Sequence, residues 1–239
     1  MELQGRRALV TGGARRIGRA ICLALAERGT RVAIHCNRSA GAARELQRLC
    51  PNSEVLQADL TDPSAPDALL AGCRDLLGGL DLLVNNASLY EKHPLESISL
   101  ASWRRCMAVN LEAPFFLAQK AGLAMRAQGG GVIVNLTDWA VDRPYPAYLP
   151  YFAAKAGLAG ATAGLARALA PAVRVNAIAP GAILPPEDSS PAYEADLVRA
   201  TPLGRLGGAE AVVQAILFLI GNDFVTGETI RVDGGRSLR

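Results

Sequence analysis

The chain of 239 residues has little histidine, only His35 and His93, and its five cysteines are scattered without a Cys-x-x-Cys pair. No spacing is present that would assemble a metal site, and Cys22, Cys36, Cys50, Cys73 and Cys106 are expected as free thiols in the core. No uninterrupted apolar run approaches the roughly 18 residues of a membrane span, and the opening MELQGRRALV lacks the apolar stretch of a secretion signal. A cytoplasmic protein with no membrane partner is the expectation. The formal net charge is only +3 and basic residues do not run together, so no stripe suits nucleic acid. A charged fraction of 20% beside 50% hydrophobic residues excludes a disordered polymer.

What is present alternates in a regular way. Short apolar runs predict strands at 6–10, 31–36, 54–57, 81–85, 131–136, 173–178 and 229–232. Amphipathic stretches between them predict helices near 17–28, 40–50, 64–78, 100–127, 151–170 and 209–221. That alternation is the pattern of a parallel sheet covered by helices on both faces. Right-handed crossovers make it a doubly wound α/β sheet with ligands at the carboxyl ends of its strands. No repeat or linker divides it, so residues 1–239 are read as one domain. The proline-rich and acidic segment 180–205 follows the sixth strand and is read as a lid loop. Its Glu187, Asp188, Glu194 and Asp196 would disfavour an anionic tail on a ligand if they face the site, an orientation the sequence leaves open.

The first strand runs into VTGGARRIGRA, with Gly12, Gly13 and Gly18 between a strand and a helix. Missing side chains let a backbone approach a pyrophosphate, and the helix start offers free N–H groups to it. A Thr-Gly-x-x-x-Gly-x-Gly turn would have glycine at position 16, yet Arg16 stands there, before Ile17. The end of the second strand, HCNRS, carries Arg38 and Ser39 and no acid. A cation and a hydroxyl there suit the extra phosphate of NADP, and Arg16 could reach the same phosphate, so NADPH is the expected cofactor. Asp59 and Leu60 follow the third strand, and Asn86, Ala87 and Ser88 the fourth, where the ribose rings of a dinucleotide would lie. Tyr151 and Lys155 are four residues apart, on one face at a helix start. An ammonium there is expected to lower the tyrosine's pKa and make it a better proton donor.

These residues, with Asn110, with Pro180 and Gly181, and with the closing VDGG at 232–235, resemble the short-chain dehydrogenase/reductase family over essentially the whole chain. The resemblance implies a Rossmann-type seven-stranded fold and Tyr151 as catalytic acid/base. It implies Lys155 holding the nicotinamide ribose, Asn110 positioning a water for a proton relay, and a homotetramer. The small-residue run at 156–170 would let helices of neighbouring copies approach closely.

Two departures narrow the resemblance. Most members carry a catalytic serine thirteen residues before the tyrosine, and that position is Asp138 here. An ionised carboxylate only accepts hydrogen bonds, which suits the N–H groups of an amino-substituted nitrogen heterocycle better than a developing alkoxide. Asp138 together with Arg16 is similar to the pteridine reductases and bacterial dihydromonapterin reductases, a likeness that extends through HCNRSAGAA, NNASLY and VDGGRSL. In that subgroup the pterin is sandwiched between the nicotinamide and an aromatic ring, which implies Tyr90 as the stacking residue and Ser88 and Arg16 as neighbours of the substrate. Trp139, Tyr145 and Tyr148 could shape the pocket or pack in the core. Ile183 leans the resemblance towards the bacterial enzymes.

The function implied is NADPH-dependent reduction of a dihydropterin at a C=N bond, with the proton supplied by Tyr151 or by the Asp138 and Tyr151 pair. The alternatives are a carbonyl reductase of the same family, acting on a 3-oxoacyl thioester, sugar or small ketone, and a non-catalytic NADP-binding protein.

Overall fold

Buried on both faces, the strands of a parallel sheet read as unbroken apolar runs, and RALV, RVAIHC, LLVN and GVIVNL are of that kind. The computed structural model describes all 239 residues and joins seven strands in one parallel sheet of order β3-β2-β1-β4-β5-β6-β7. The strands are β1 (Arg7–Val10), β2 (Arg31–Cys36), β3 (Glu54–Gln57), β4 (Leu82–Asn85), β5 (Gly131–Leu136), β6 (Val173–Pro180) and β7 (Thr229–Val232). Each lies where the sequence places it, with β6 running two residues further, to Pro180.

The helices are α1 (Arg16–Ala26), α2 (Ala40–Leu49), α3 (Ala65–Leu77), α4 (Leu100–Met107), α5 (Ala113–Ala127), α6 (Leu149–Leu169), α7 (Pro191–Arg199) and α8 (Gly208–Gly221). One core on one face of the sheet joins Val10, Ile34 and Val134 to α1 and α8. A second, on the other face, joins Leu9, Leu83 and Ile133 to α3, α5 and α6. All five cysteines are buried and free, and burial raises the thiol pKa of Cys73 to about 12.

Two expectations need correction. The helix expected over 100–127 is interrupted by a π turn at Ala108–Glu112. Pro114 has no N–H to give the carbonyl of Asn110 four residues earlier, and its ring crowds that carbonyl, so the helix widens there. The segment 180–205 is also not simply a loop. It contains α7, started by Ser190, whose hydroxyl accepts from the Tyr193 N–H at 3.2 Å, and by Pro191 in the first turn. No helix is long and apolar enough to cross a membrane.

Strand order reverses at β1, whose neighbours are β2 and β4. A crevice opens at such a switch point, outside the carboxyl ends of the strands.

Candidate active site

The glycine turn forms one wall of that crevice. Gly12 has φ +62°, and a Cβ on Gly18 would lie 2.2 Å from the Gly12 carbonyl oxygen, so neither position tolerates a side chain. Thr11 and Asn86 fasten the turn to β4: the Thr11 hydroxyl accepts from the N–H groups of Asn86 (2.9 Å) and Ala87 (3.0 Å), and the Asn86 amide donates to Thr11 O and Gly12 O. From the other side the Gly12 N–H donates to Nδ1 of buried His35 at 3.1 Å, while Nε2 faces Ala58 O at 3.2 Å. His35 is thereby a neutral Nε2–H tautomer, and burial lowers its pKa. Sequence reasoning missed Thr11 and His35 as supports of the turn, because pairing them with it requires the β1–β2 and β1–β4 registers.

The fit to a dinucleotide can be read from this turn. Helix α1 has no side-chain cap at Arg15 and no acid in its first turn, so its free N–H groups remain available to an anion. Arg38 and Ser39 close β2 beside Asp59, and the Arg38 charge helps hold the Asp59 carboxyl below its usual value, after the hydrogen bonds from Thr61 and that from Asn37. The Leu60 side chain is buried in the core, leaving only its backbone to meet a ligand.

Arg16 occupies its position at φ +51°, in the left-handed region where glycine is at ease. Its guanidinium donates to Pro185 O (2.8 Å) and Leu184 O (3.4 Å) and lies 4.0 Å from Glu187. In this structure it ties the glycine turn to the segment after β6, on the cavity wall next to Ile17.

A cavity of about 850 Å³ extends from Arg16 along the ends of β4, β5 and β6 to α7. Asp138, Tyr151 and Lys155 meet on its floor with Ser88, Tyr90, Pro180 and Gly181 around them. The Tyr151 hydroxyl donates to Asp138 Oδ2 at 2.9 Å, and Oδ1 accepts the Ala140 N–H at 2.8 Å. Burial raises the Asp138 pKa above the ordinary carboxyl value, against the opposing pull of those two hydrogen bonds and of Lys155. Lys155 is fully buried, donates to Leu136 O at 2.7 Å, and is lowered by burial to a pKa of about 8, the Asp138 charge pulling the other way.

The expected effect of lysine on tyrosine is therefore corrected. Burial, then the charge and hydrogen bond of Asp138, raise the Tyr151 pKa well above its usual value. The ammonium is held on a backbone carbonyl, 5.7 Å from the ring centroid, and does not set the phenol's proton. A pairwise reading of YxxxK could not weigh burial against charge.

Asn110 is fully buried within the π turn. Its amide donates to Leu89 O (2.9 Å) and Cys106 O (3.1 Å), and its oxygen accepts from Ser88 Oγ (2.9 Å) and the Leu89 N–H (3.1 Å). These bonds fill the side chain's capacity, so what it holds is the segment carrying Ser88 and Tyr90. Tyr90 is half exposed, meets Tyr151 edge-on at 4.7 Å, and has one face covered by Tyr148, stacked at 4.2 Å and 7°. At most its other face is free for a planar ligand.

Three of the four lid acids have partners within the chain: Asp196 pairs with Arg199, Glu194 accepts from Ser189 Oγ at 2.8 Å, and Glu187 faces Arg16, while Asp188 is exposed and has none. Sequence reasoning also missed Arg236. It lies on the cavity wall with its guanidinium over the Trp139 ring at 5.2 Å.

Comparison with known proteins places this chain among short-chain oxidoreductases. A family profile described as enoyl-(acyl carrier protein) reductase matches residues 12–237. The 3-oxoacyl-(acyl-carrier-protein) reductase FabG of Vibrio cholerae is 35% identical over 98% of both chains. The L-xylulose reductase of Bos taurus is also 35% identical, over 98% of both. Among solved structures, FolM alternative dihydrofolate reductase 1 from Brucella suis in complex with NADP superposes with a TM-score of 0.93 and 38% identity, covering 100% of this chain and 97% of that one.

Proposed function

The chain belongs to the short-chain dehydrogenase/reductase family of oxidoreductases, and on that footing we propose that it reduces a dihydropterin to the tetrahydro form with NADPH. The cofactor is NADP(H): the acid that would bind an unphosphorylated ribose is missing after β2, and the solved FolM relatives are complexes with NADP. Gly12, Gly18 and the start of α1 would hold its pyrophosphate, Arg38 and Ser39 its extra phosphate, and Lys155 its nicotinamide ribose. Bound NADPH supplies the hydride that reduces the carbon of the C=N bond.

The observation that carries the substrate reading is the carboxylate of Asp138, 2.9 Å from the hydroxyl of Tyr151. A site for a carbonyl substrate stabilises negative charge on oxygen, and a carboxylate beside it opposes that. A dihydropterin instead presents N–H groups that a carboxylate accepts, and a ring nitrogen that must gain a proton. Tyr151 delivers its proton to that nitrogen, and a proton taken from solvent by the Asp138 carboxylate, which binds one more readily than an ordinary carboxylate, then restores the phenol. Tyr90 offers the pterin one aromatic face.

The second reading is a carbonyl reductase, favoured by the FabG relatives at 34 to 36% identity. NADPH consumption with dihydromonapterin, dihydrobiopterin, dihydrofolate and an acetoacetyl thioester, repeated with Asp138→Ser, separates the two. Turnover of pterins, lost in the variant, supports this proposal, and turnover of the thioester alone overturns it.

We further infer a homotetramer. Helix α6 exposes Ala153, Ala156, Gly157, Gly160 and Gly164, and α5 exposes Phe116 and Leu123. Light scattering on the purified protein tests this.

A further inference from the structure

Five ordinarily charged side chains line the cavity: Arg16, Asp138, Lys155, Asp196 and Arg236. Four of them have partners within the chain. Arg16 is bonded to the Leu184 and Pro185 carbonyls, Asp138 to Tyr151 and Ala140, Lys155 to Leu136 O, and Asp196 to Arg199. The Arg236 side chain has neither a hydrogen bond nor an ion pair: its guanidinium lies over the Trp139 ring, and its charge acts on Asp138 across the cavity without touching it.

That guanidinium is held in place by the closing VDGG segment. Gly234 and Gly235 turn the chain at φ +63° and +83°, which a residue with a side chain adopts only with strain. The Asp233 carboxylate then accepts the N–H groups of Gly235 (2.9 Å) and Ser237 (2.8 Å), fixing the short turn that presents Arg236. The cation–π contact with Trp139, 5.2 Å from the ring centroid, holds the side chain as well, and no N–H of the guanidinium is used within the chain. A fixed planar fork of this kind matches a carboxylate or a phosphate.

The cofactor's phosphates do not account for it. They belong to the turn after β1, whereas Arg236 follows β7, four strand positions away in the sheet. At ~4.8 Å between neighbouring strands, that is about 19 Å.

We propose that Arg236 is the receptor for an anionic group, carboxylate or phosphate, on the tail of the substrate, so that the site selects dihydropterins bearing a negatively charged side chain. This rests on the pterin reading above. It runs against the expectation from the lid acids, of which Asp196 and Glu187 are paired with Arg199 and Arg16, whereas Arg236 on the cavity wall has no ion pair.

The test compares wild-type protein with Arg236→Met and Arg236→Lys under NADPH. The substrates are dihydrofolate, a dihydropterin carrying a phosphate ester on its side chain, and dihydrobiopterin, whose side chain is uncharged. Methionine retains an apolar contact with Trp139 and removes the charge. In Arg236→Met, KM for one or both anionic substrates should rise roughly ten- to a hundredfold, with kcat little changed. Dihydrobiopterin should keep its wild-type KM, so that the loss is read as a change in specificity between anionic and uncharged substrates, whereas any effect of the lost charge on Asp138 falls on kcat for all three alike; Arg236→Lys should recover part of the KM loss. Which anionic substrate loses affinity identifies the group. Equal loss on all three substrates would mean that Arg236 only shapes the pocket through Trp139, and no loss on any would mean that it meets no substrate; either overturns the assignment while leaving pterin reduction standing. A wild-type protein that reduces only the thioester overturns the pterin reading and this assignment together.

Discussion

Asp138→Asn changes a charge at nearly constant shape, and the hydrogen bonds around it set the outcome. An amide at this position keeps its oxygen on the Ala140 N–H, now at 2.8 Å, and turns its NH2 towards the Tyr151 hydroxyl where the carboxylate stood at 2.9 Å. The hydrogen bond must reverse, with Tyr151 accepting. A hydrogen bond to a charged partner contributes about 1.5 to 3 kcal/mol, so kcat/KM for a dihydropterin should fall roughly ten- to a hundredfold. The Asp138 charge also raises the pKa of both Tyr151 and Lys155. Without it Lys155 ionises below its present value of about 8, and the alkaline limb of the pH–rate profile should move to lower pH.

Stability should move the other way or not at all. Asp138 binds its proton more tightly folded than unfolded, so its favourable contribution is full below the unfolded pKa of 3.8 and is lost as pH rises through the folded value. Asparagine carries no such pH-dependent loss, and thermal unfolding at neutral pH should find the variant no less stable than the wild type. The assay is NADPH consumption from about pH 6 to about pH 10, a range that brackets the Lys155 value of about 8. A variant with an unchanged rate and a superimposable profile would refute the assignment of Asp138 to the proton-handling pair.

His35→Leu removes the acceptor of the Gly12 N–H and should cost about 1 to 3 kcal/mol in denaturant unfolding, with weaker NADPH binding. In the wild type the folded His35 pKa is depressed, so its contribution is full above the unfolded value of 6.5 and is lost as pH falls through the folded one. Denaturant midpoints measured downward from neutral pH should show this loss, and the leucine variant should lack it. Arg16→Gly relieves the φ +51° backbone, worth roughly 1 kcal/mol, yet should weaken NADPH and dihydropterin binding in fluorescence titration; unchanged affinity for both would show that Arg16 serves only its link to Pro185. Gly18→Ala puts a methyl group 2.2 Å from Gly12 O and should abolish cofactor binding, read as loss of thermal stabilisation by NADPH.

Much of this protein is written locally. The strands are short apolar runs that a parallel sheet buries on both faces, and their ends are marked by turn residues, so all seven are legible without a structure. The glycine turn is legible for the same reason: close backbone approach demands missing side chains in consecutive residues. Asp138 is legible too, but only through the family resemblance, which puts a catalytic position thirteen residues before Tyr151. Tertiary structure decided what depends on burial and on partners distant in sequence. The pKa of Tyr151 rises because burial and Asp138 outweigh a lysine whose ammonium is bonded to Leu136 O. One face of Tyr90 is closed by Tyr148, and Asn110 is saturated by the segment at Ser88 and Leu89. His35 supports Gly12 across 23 residues, and Arg236 reaches the cavity on the ring of Trp139, which lies 97 residues earlier in the chain. Periodicity reports which face of an element is buried, but a hydrogen bond or a desolvated charge is set by what the fold brings opposite it.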